Sequence, residues 1–422
     1  MLTHKHKSRG FTVKHFYIFN AGCIRRALDS TRIYNYLTRN GWIYTGKISS
    51  ADLVVISTCG AVDKTEELSL IALRNISKKK SKSAKLIVTG CLPKIDPGKI
   101  QEIPYLNNYE FVPTRNLEKF DTVLNSTVKF EDIPDANMVT NEAGLLDYVL
   151  AYRLFRHSYF LKLYKRMSTS RTFLKLAVSL SENLNTIKSK LGLAARQKIV
   201  PYYNIRIAEG CSFACSFCAI KFATGRLKSK PIDQIIEEFK KGLKEGHKLF
   251  QLVCEDIGCY GLDIGTTMPA LLRRMLEIEG DYQLILIDFG AYWLVKYYDE
   301  LLPLFLEHPD KIRELYVSLQ SGSDRILKAM KRPERNEDVR AKLKELKEKL
   351  PHLILRTTVI IGFPGETDED FQKTVEAVQE IDFLAVELNK YEDRPGTCSS
   401  IMKNKIPQEV IDRRYEEIRQ YV

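Results

Sequence analysis

Two blocks of the chain alternate short apolar stretches with longer amphipathic ones, and that alternation constrains the fold more than any other feature. In the first block, residues 12–19 are apolar and 29–40 carry a helical pattern ended by Gly41. Residues 53–56 form a second apolar run, a long helical stretch starts at Val62, and 85–88 return to strand character. Strands separated by helices predict a parallel sheet with right-handed crossovers. In the second block the strand candidates are 203–207, 250–254, 284–287, 315–319, 353–361 and 384–388, with helical stretches beginning near Pro231, Met268, Leu294, Asp324 and Thr367. Six such units predict a partial or full parallel barrel whose reactive end is the carboxyl face of its strands. Thr367 with Asp370 reads as a capping box that fixes where the last of these helices starts.

Between the blocks the pattern turns helical. Residues 151–200 hold eleven Lys or Arg against the single acid Glu182, with Tyr152, Phe155, Tyr159, Phe160, Tyr164 and Phe173 interleaved. This stretch is either a pair of amphipathic helices with a solvated basic face or a docking surface for an acidic substrate or RNA. The expected organisation is α/β throughout: an N-terminal parallel domain over 1–135, a basic helical insert over 136–198 and a barrel over 199–422. The formal charge of +12 favours acidic partners without choosing among nucleic acid, acidic peptides and membrane surfaces. No run of about 18 uninterrupted apolar residues is present, so no membrane span is expected. Nine cysteines in a chain of 422 residues, with no stretch like a signal peptide, argue against a secreted disulfide scaffold and for a reducing cytoplasm.

The cysteines fall where the strands end. Cys23, Cys59 and Cys91 each follow a strand of the first block, and the carboxyl ends of parallel strands share one edge, so three thiols from distant positions can meet there. In the second block Cys211, Cys215 and Cys218 lie within eight residues directly after the first barrel strand. Spacings of three and two intervening residues let one loop wrap a cube of iron and sulfide, ligating three irons and leaving the fourth without a protein ligand. Structural zinc is the competing use of such thiols, but it wants four ligands, and the nearest histidines in sequence are His157 and His247.

The surrounding residues make the triplet recognisable. Gly225-Arg226 and Ser229-Lys230-Pro231, then Gln320 to Met330, then Arg356-Thr357-Thr358-Val359-Ile360-Ile361-Gly362-Phe363-Pro364-Gly365-Glu366-Thr367 resemble, in order, segments of the methylthiotransferase branch of the radical S-adenosylmethionine (SAM) superfamily. Gly22-Cys23, Thr58-Cys59 and Thr89-Gly90-Cys91 are similar to its auxiliary-cluster domain. The resemblance covers most of residues 12–115 and 199–415. It implies two [4Fe-4S] clusters, one on Cys211, Cys215 and Cys218 that cleaves SAM and one on Cys23, Cys59 and Cys91 that carries an extra sulfur. The implied reaction replaces an unactivated C–H hydrogen by a methylthio group, using two SAM. An electron donor such as flavodoxin or ferredoxin is implied with it.

The chain departs from the family pattern at Arg26 and Ser57, where Asn is usual, and at Glu255, where Gln is common. It also stops at Val422, where relatives usually continue into a small β-barrel. Phe217 stands where an aromatic packs near the adenine of SAM, with ordinary loop burial as the alternative. Gln320 and Ser321 resemble residues that contact SAM, or they cap a strand end. Arg356 interrupts an apolar strand, so its charge needs a partner: a SAM or substrate carboxylate, or Glu255. Glu255 and Asp256 lie at another strand end, where acids bind ribose hydroxyls, accept protons or cap a helix. Cys254, Cys259 and Cys398 read as core or loop thiols, with Cys259 the exception to watch because its loop should face the cluster.

The Arg-Thr-Thr run at Arg356 and the segment Tyr260-Gly261-Leu262-Asp263 look closer to the ribosomal-protein aspartate methylthiotransferases than to the tRNA branch. The expected substrate is therefore a peptide or protein side chain, with a tRNA adenosine as the alternative that the positive charge keeps open. Two rivals remain. A non-catalytic metal-cluster protein that binds nucleic acid would bind without cleaving SAM, and an enzyme inserting sulfur without methylation would form no S-adenosylhomocysteine.

Overall fold

The computed structural model describes residues 14–106, 108–140 and 202–422. Most of the basic stretch expected at 136–198 lies outside the described residues. The described residues fall into two compact units, one built on a sheet from the first block and the other on a sheet from the second.

In the first unit β1 (His15–Asn20), β2 (Ile43–Tyr44), β3 (Leu53–Thr58), β4 (Lys85–Gly90) and β5 (Glu110–Phe111) pair in parallel in the order β2-β1-β3-β4-β5. Successive residues of a strand serve opposite faces. Phe16 and Ile18 therefore join Ile33, Tyr36 and Leu37 of the helix Ile24–Arg39, whereas Tyr17 and Phe19 join Leu70, Leu73 and Ile76 of the helix Asp63–Lys79. With helices on both faces, the strands read as nearly continuous apolar runs. The first helix starts at Ile24, five residues before its pattern becomes evident in the sequence. Its cap is Cys23, extended and making no side-chain cap bond, so none of the usual start signals marks it.

The second unit holds β6 (Tyr203–Arg206), a two-stranded antiparallel ribbon of β7 (Ala208–Glu209) and β8 (Lys228–Ser229), and then β9 (Leu249–Val253), β10 (Gln283–Gly290), β11 (Ile312–Gln320), β12 (Ile354–Ile361) and β13 (Ala385–Lys390). Six strands form one parallel sheet in the order β13-β12-β11-β10-β9-β6, and its end strands β6 and β13 are not paired with each other, which makes it a partial barrel. The helical stretch expected near Leu294 is two helices, Ala291–Lys296 and Tyr298–Glu307. Phe239 of the helix Ile232–Lys244 packs edge-on against Phe250 and Tyr282, with ring centroids 4.6 and 4.9 Å away, and clamps that helix to β9 and β10. On β12 burial alternates strictly, Leu355, Thr357, Val359 and Ile361 being buried and Arg356, Thr358 and Ile360 half-buried. One face of that strand meets the helices, and the other looks into the open side of the sheet.

The capping box forms as expected: Thr367 N donates to Asp370 Oδ2 at 2.9 Å and Asp370 N to Thr367 Oγ1 at 3.2 Å. Asp370 also accepts from Ser323 Oγ at 2.6 Å and pairs with Arg325, so it ties the helix Asp368–Glu380 to the end of β11. Burial alone would raise its pKa; the bonds from Arg325, Ser323 and Thr367 outweigh that and hold it below the usual carboxylate range. A depressed folded pKa contributes stability that is present above the unfolded value and is lost as pH falls through the folded one. Asp370→Ala is expected to destabilise this unit by about 2 kcal/mol at pH 7. In scanning calorimetry the gap from the parent should narrow below about pH 4.

Candidate iron–sulfur sites at the strand ends

In the first unit the chain leaves β1 for β2 on one side and returns to β3 on the other, so the sheet order reverses between β1 and β3 and opens a crevice at their carboxyl ends. Cys23 lies three residues beyond β1, and Cys59 and Cys91 lie directly beyond β3 and β4. The three cysteines thus occupy adjacent positions along one sheet edge, as the sequence reading anticipated. Ser69 Oγ accepts from Cys59 N at 2.8 Å, and Thr58 O accepts from Cys91 N at 2.9 Å. Gly90 makes that close approach possible. Its φ is +97°, and a Cβ there would lie 2.1 Å from Thr58 O. The hydroxyls of Ser57 and Ser30 are buried without a hydrogen-bond partner among the described residues, which suits a polar group seated near them.

The triplet leaves β6 through the β7–β8 ribbon. Gly210, with φ +76° and no room for a Cβ against Arg226 O, turns the chain into Cys211. Glu255, just beyond β9, accepts from Gly210 N at 2.8 Å, and Ser216 hangs between Cys215 and Cys218 on two bonds, N to Met330 O at 2.9 Å and Oγ to Ala329 O at 2.8 Å. Phe213 N donates to Cys211 Sγ at 3.3 Å. None of the six predicted ligands is in a disulfide. Burial raises the Cys215 thiol and pushes Cys218 up to about 11. A hydrogen bond with Cys259, then burial and the Asp256 charge, raises Cys211. Thiols in this state surrender protons when they take up iron.

Two charged groups lie beside the loop. Arg332, buried, donates to Glu334 Oε1 at 2.7 Å and Ser318 O at 2.9 Å and lies 5.6 Å from the centre of the Phe213 ring, and its charge lowers the Cys215 thiol against the rise that burial causes. Asp256 accepts from Gly258 N at 3.0 Å, Gly290 N at 2.9 Å and Trp293 Nε1 at 3.1 Å, although burial pushes its pKa up to about 6. The sequence reading passed over Arg332 altogether. Its only signal was its place two residues past the recognised Gln320–Met330 segment.

The remaining predicted contacts divide. Gln320 ends β11 with φ +65°, and its Oε1 is buried without a hydrogen-bond partner among the described residues, so an acceptor is available to a ligand. Ser321 is fully buried; its Oγ accepts from Ser323 N at 3.2 Å and lies 3.4 Å from Thr374 Oγ1, which uses it in docking the helix Asp368–Glu380. Phe217 packs on Ile326, Leu327, Met330, Phe363 and Tyr391. Arg356 donates to Glu314 Oε1 at 2.9 Å, with its guanidinium carbon 5.3 Å from the centre of the Tyr316 ring. In its chemistry each trio suits a four-iron cluster bound through three thiolates: three cysteines outside any disulfide, collected at one sheet edge or in one loop, with a cation beside the second trio.

Comparison with known proteins agrees with this geometry. Residues 205–378 match the Radical SAM superfamily and residues 15–111 match Uncharacterized protein family UPF0004. The chain is 29% identical over 408 residues to the ribosomal protein uS12 methylthiotransferase RimO of Thermodesulfovibrio yellowstonii, covering 96% of this chain and 82% of that protein. It is also 29% identical over 399 residues to a probable threonylcarbamoyladenosine tRNA methylthiotransferase of Pyrococcus abyssi, covering 94% and 81%. Among solved structures it is similar to the radical SAM methyltransferase TsrM of Kitasatospora setae, with a TM-score of 0.58 and 12% identity over 92% of this chain and 77% of that one, a likeness of fold.

Two independent sites predict a simple iron count. Anaerobic reconstitution should load about eight irons per chain, and replacing either Cys23, Cys59 and Cys91 or Cys211, Cys215 and Cys218 by Ala should leave about four. If either triple variant empties the chain completely, the two trios are not independent sites.

Proposed function

Because the chain belongs to the radical SAM methylthiotransferase family, enzymes that use SAM and two [4Fe-4S] clusters, we propose that its substrate is a tRNA adenosine, the threonylcarbamoyl derivative named for the Pyrococcus relative, in which it replaces a C–H hydrogen by a methylthio group. Net charge carries this choice. Relatives that act on ribosomal protein and on tRNA match equally well, and most of the +12 formal charge lies in residues 151–200, eleven Lys or Arg against one acid. Such a stretch attracts a polyphosphate chain far more strongly than a single peptide side chain.

The two features that favoured a protein substrate have internal employment. Arg356 pairs with Glu314. Tyr260 donates to Lys230 O at 2.7 Å, Gly261 N to Ser229 Oγ at 2.9 Å, and Asp263 accepts from Ser229 N at 2.9 Å, so that segment holds the β8 strand in place.

In this reading Cys211, Cys215 and Cys218 hold one cluster and Cys23, Cys59 and Cys91 the other. Bound there, the clusters supply the electron that cleaves SAM and the sulfur that is transferred. The chain's own residues do the rest. Glu255 and Ser216 fix the triplet loop at both ends, and Arg332 places positive charge beside Cys215, where it offsets the thiolates. The Gln320 carbonyl oxygen offers an acceptor at the end of β11 to a donor group of SAM.

Mass spectrometry of tRNA nucleosides and of tryptic peptides from cells with and without the protein tests the substrate. A methylthio increment on an adenosine, dependent on the protein and absent from peptides, is expected; the same increment on a peptide would overturn the choice. Binding of tRNA should also weaken steeply with salt, by about tenfold or more between 50 and 200 mM.

A further inference from the structure

Cys259 ends a single turn, Ile257–Cys259, that follows β9, and it is completely buried. Its Sγ, the Cys211 Sγ and a carboxylate oxygen of Asp256 all lie within 4.8 Å of one another. These three atoms have the spacing of a metal site, but they are not equivalent. Moving Asp256 onto a metal would strand the N–H groups of Gly258, Gly290 and Trp293 in a closed interior, at the cost of three hydrogen bonds. Asp256 is therefore an anchor. Cys259 has much less to lose. Its thiol donates to Asp256 O at 3.0 Å, a weak sulfur bond within its own turn, and it also meets Cys211. At Cys211, then, two thiol sulfurs lie within 4.8 Å of each other.

We propose that Cys259 is a second protein ligand for the iron held by Cys211. It takes over that corner of the cluster whenever the Cys211 bond opens. This rests on the assignment of a cluster to the triplet. The exchange is balanced without any change of oxidation state: the iron–sulfur bond to Cys211 breaks, the one to Cys259 forms, and the proton of the Cys259 thiol passes to the sulfur of Cys211. Thiolate is the ligand form in both cases. Of the remaining cysteines, Cys254 donates to Gly210 O at 3.4 Å and Cys398 is exposed beside Lys331.

The test uses the full chain with Cys23, Cys59 and Cys91 replaced by Ala, so that all cluster iron belongs to the triplet. In this parent, Cys211→Ala, Cys259→Ala, Cys215→Ala and the double variant Cys211→Ala/Cys259→Ala are reconstituted anaerobically. Iron and sulfide per chain and the electron paramagnetic resonance of the reduced protein are measured, with circular dichroism to verify the fold. The parent and Cys259→Ala should each hold about four irons, Cys211→Ala roughly half of that or more, and Cys215→Ala and the double variant almost none. A folded Cys211→Ala protein as empty as the double variant overturns the proposal alone. A parent that takes up no iron overturns the triplet assignment and the proposal together.

Discussion

Parallel pairing is the constraint on which everything else in this chain rests. A parallel strand must return to the end at which its neighbour began, so every crossover runs back along the sheet and every carboxyl end arrives at the same edge. In the first unit that edge collects Cys23, Cys59 and Cys91 from positions dozens of residues apart, on both sides of the point where sheet order reverses. In the second it collects the triplet after β6, Glu255 and Asp256 after β9, and Gln320 at the end of β11. Neither assembly needs long-range side-chain pairing to define it. The backbone topology delivers the thiols, and local turns then aim them.

Those turns reuse one device. Gly90 and Gly210 each stand immediately before a candidate ligand cysteine with positive φ, and each lies so close to a neighbouring carbonyl that no Cβ fits. A bulkier residue would push the thiol off the edge by moving the backbone that carries it. Side chains then fix what the glycines allow, through Ser69 at Cys59 and through Glu255 and Ser216 at the triplet.

The sequence was legible wherever periodicity or spacing carried the information. All six barrel strands and the strands before Cys23, Cys59 and Cys91 lie within a few residues of their expected places, because apolar runs bounded by amphipathic helices leave little freedom. The capping box was visible for the same reason, Thr367 and Asp370 being three residues apart. What escaped detection was charge brought in from elsewhere. Nothing near Arg332 in sequence announces that its guanidinium will be buried against Cys215, and nothing near Asp256 shows that Gly290 and Trp293 will close over it. Such contacts are made between strand ends, so they have no period to read. Arg356 is the converse case: an interrupted apolar strand signalled a partner, but its identity, Glu314, came only from the register of β11 against β12.

Burying Arg332, Glu334 and Asp256 costs free energy that a purely structural loop could avoid with apolar side chains. Glu334 offsets Arg332, and three N–H donors offset Asp256, so each charge is compensated where it stands. The arrangement becomes intelligible once thiolates occupy the loop. A cluster bound by three of them is anionic, and a guanidinium fixed at one thiol stabilises that anion in a low-dielectric interior far more than a mobile surface cation could. The partner must also be a permanent cation, because a lysine in the same place could lose its proton on burial. The open face of the sheet solves a different problem. There Tyr316, itself buried, donates to Glu387 Oε2 at 2.7 Å and Asn389 Nδ2 donates to Thr358 Oγ1 at 3.0 Å, so polar groups are satisfied by one another across three strands. Charges are locked in place at the strand ends, whereas this face carries side-chain hydrogen bonds between neighbouring strands.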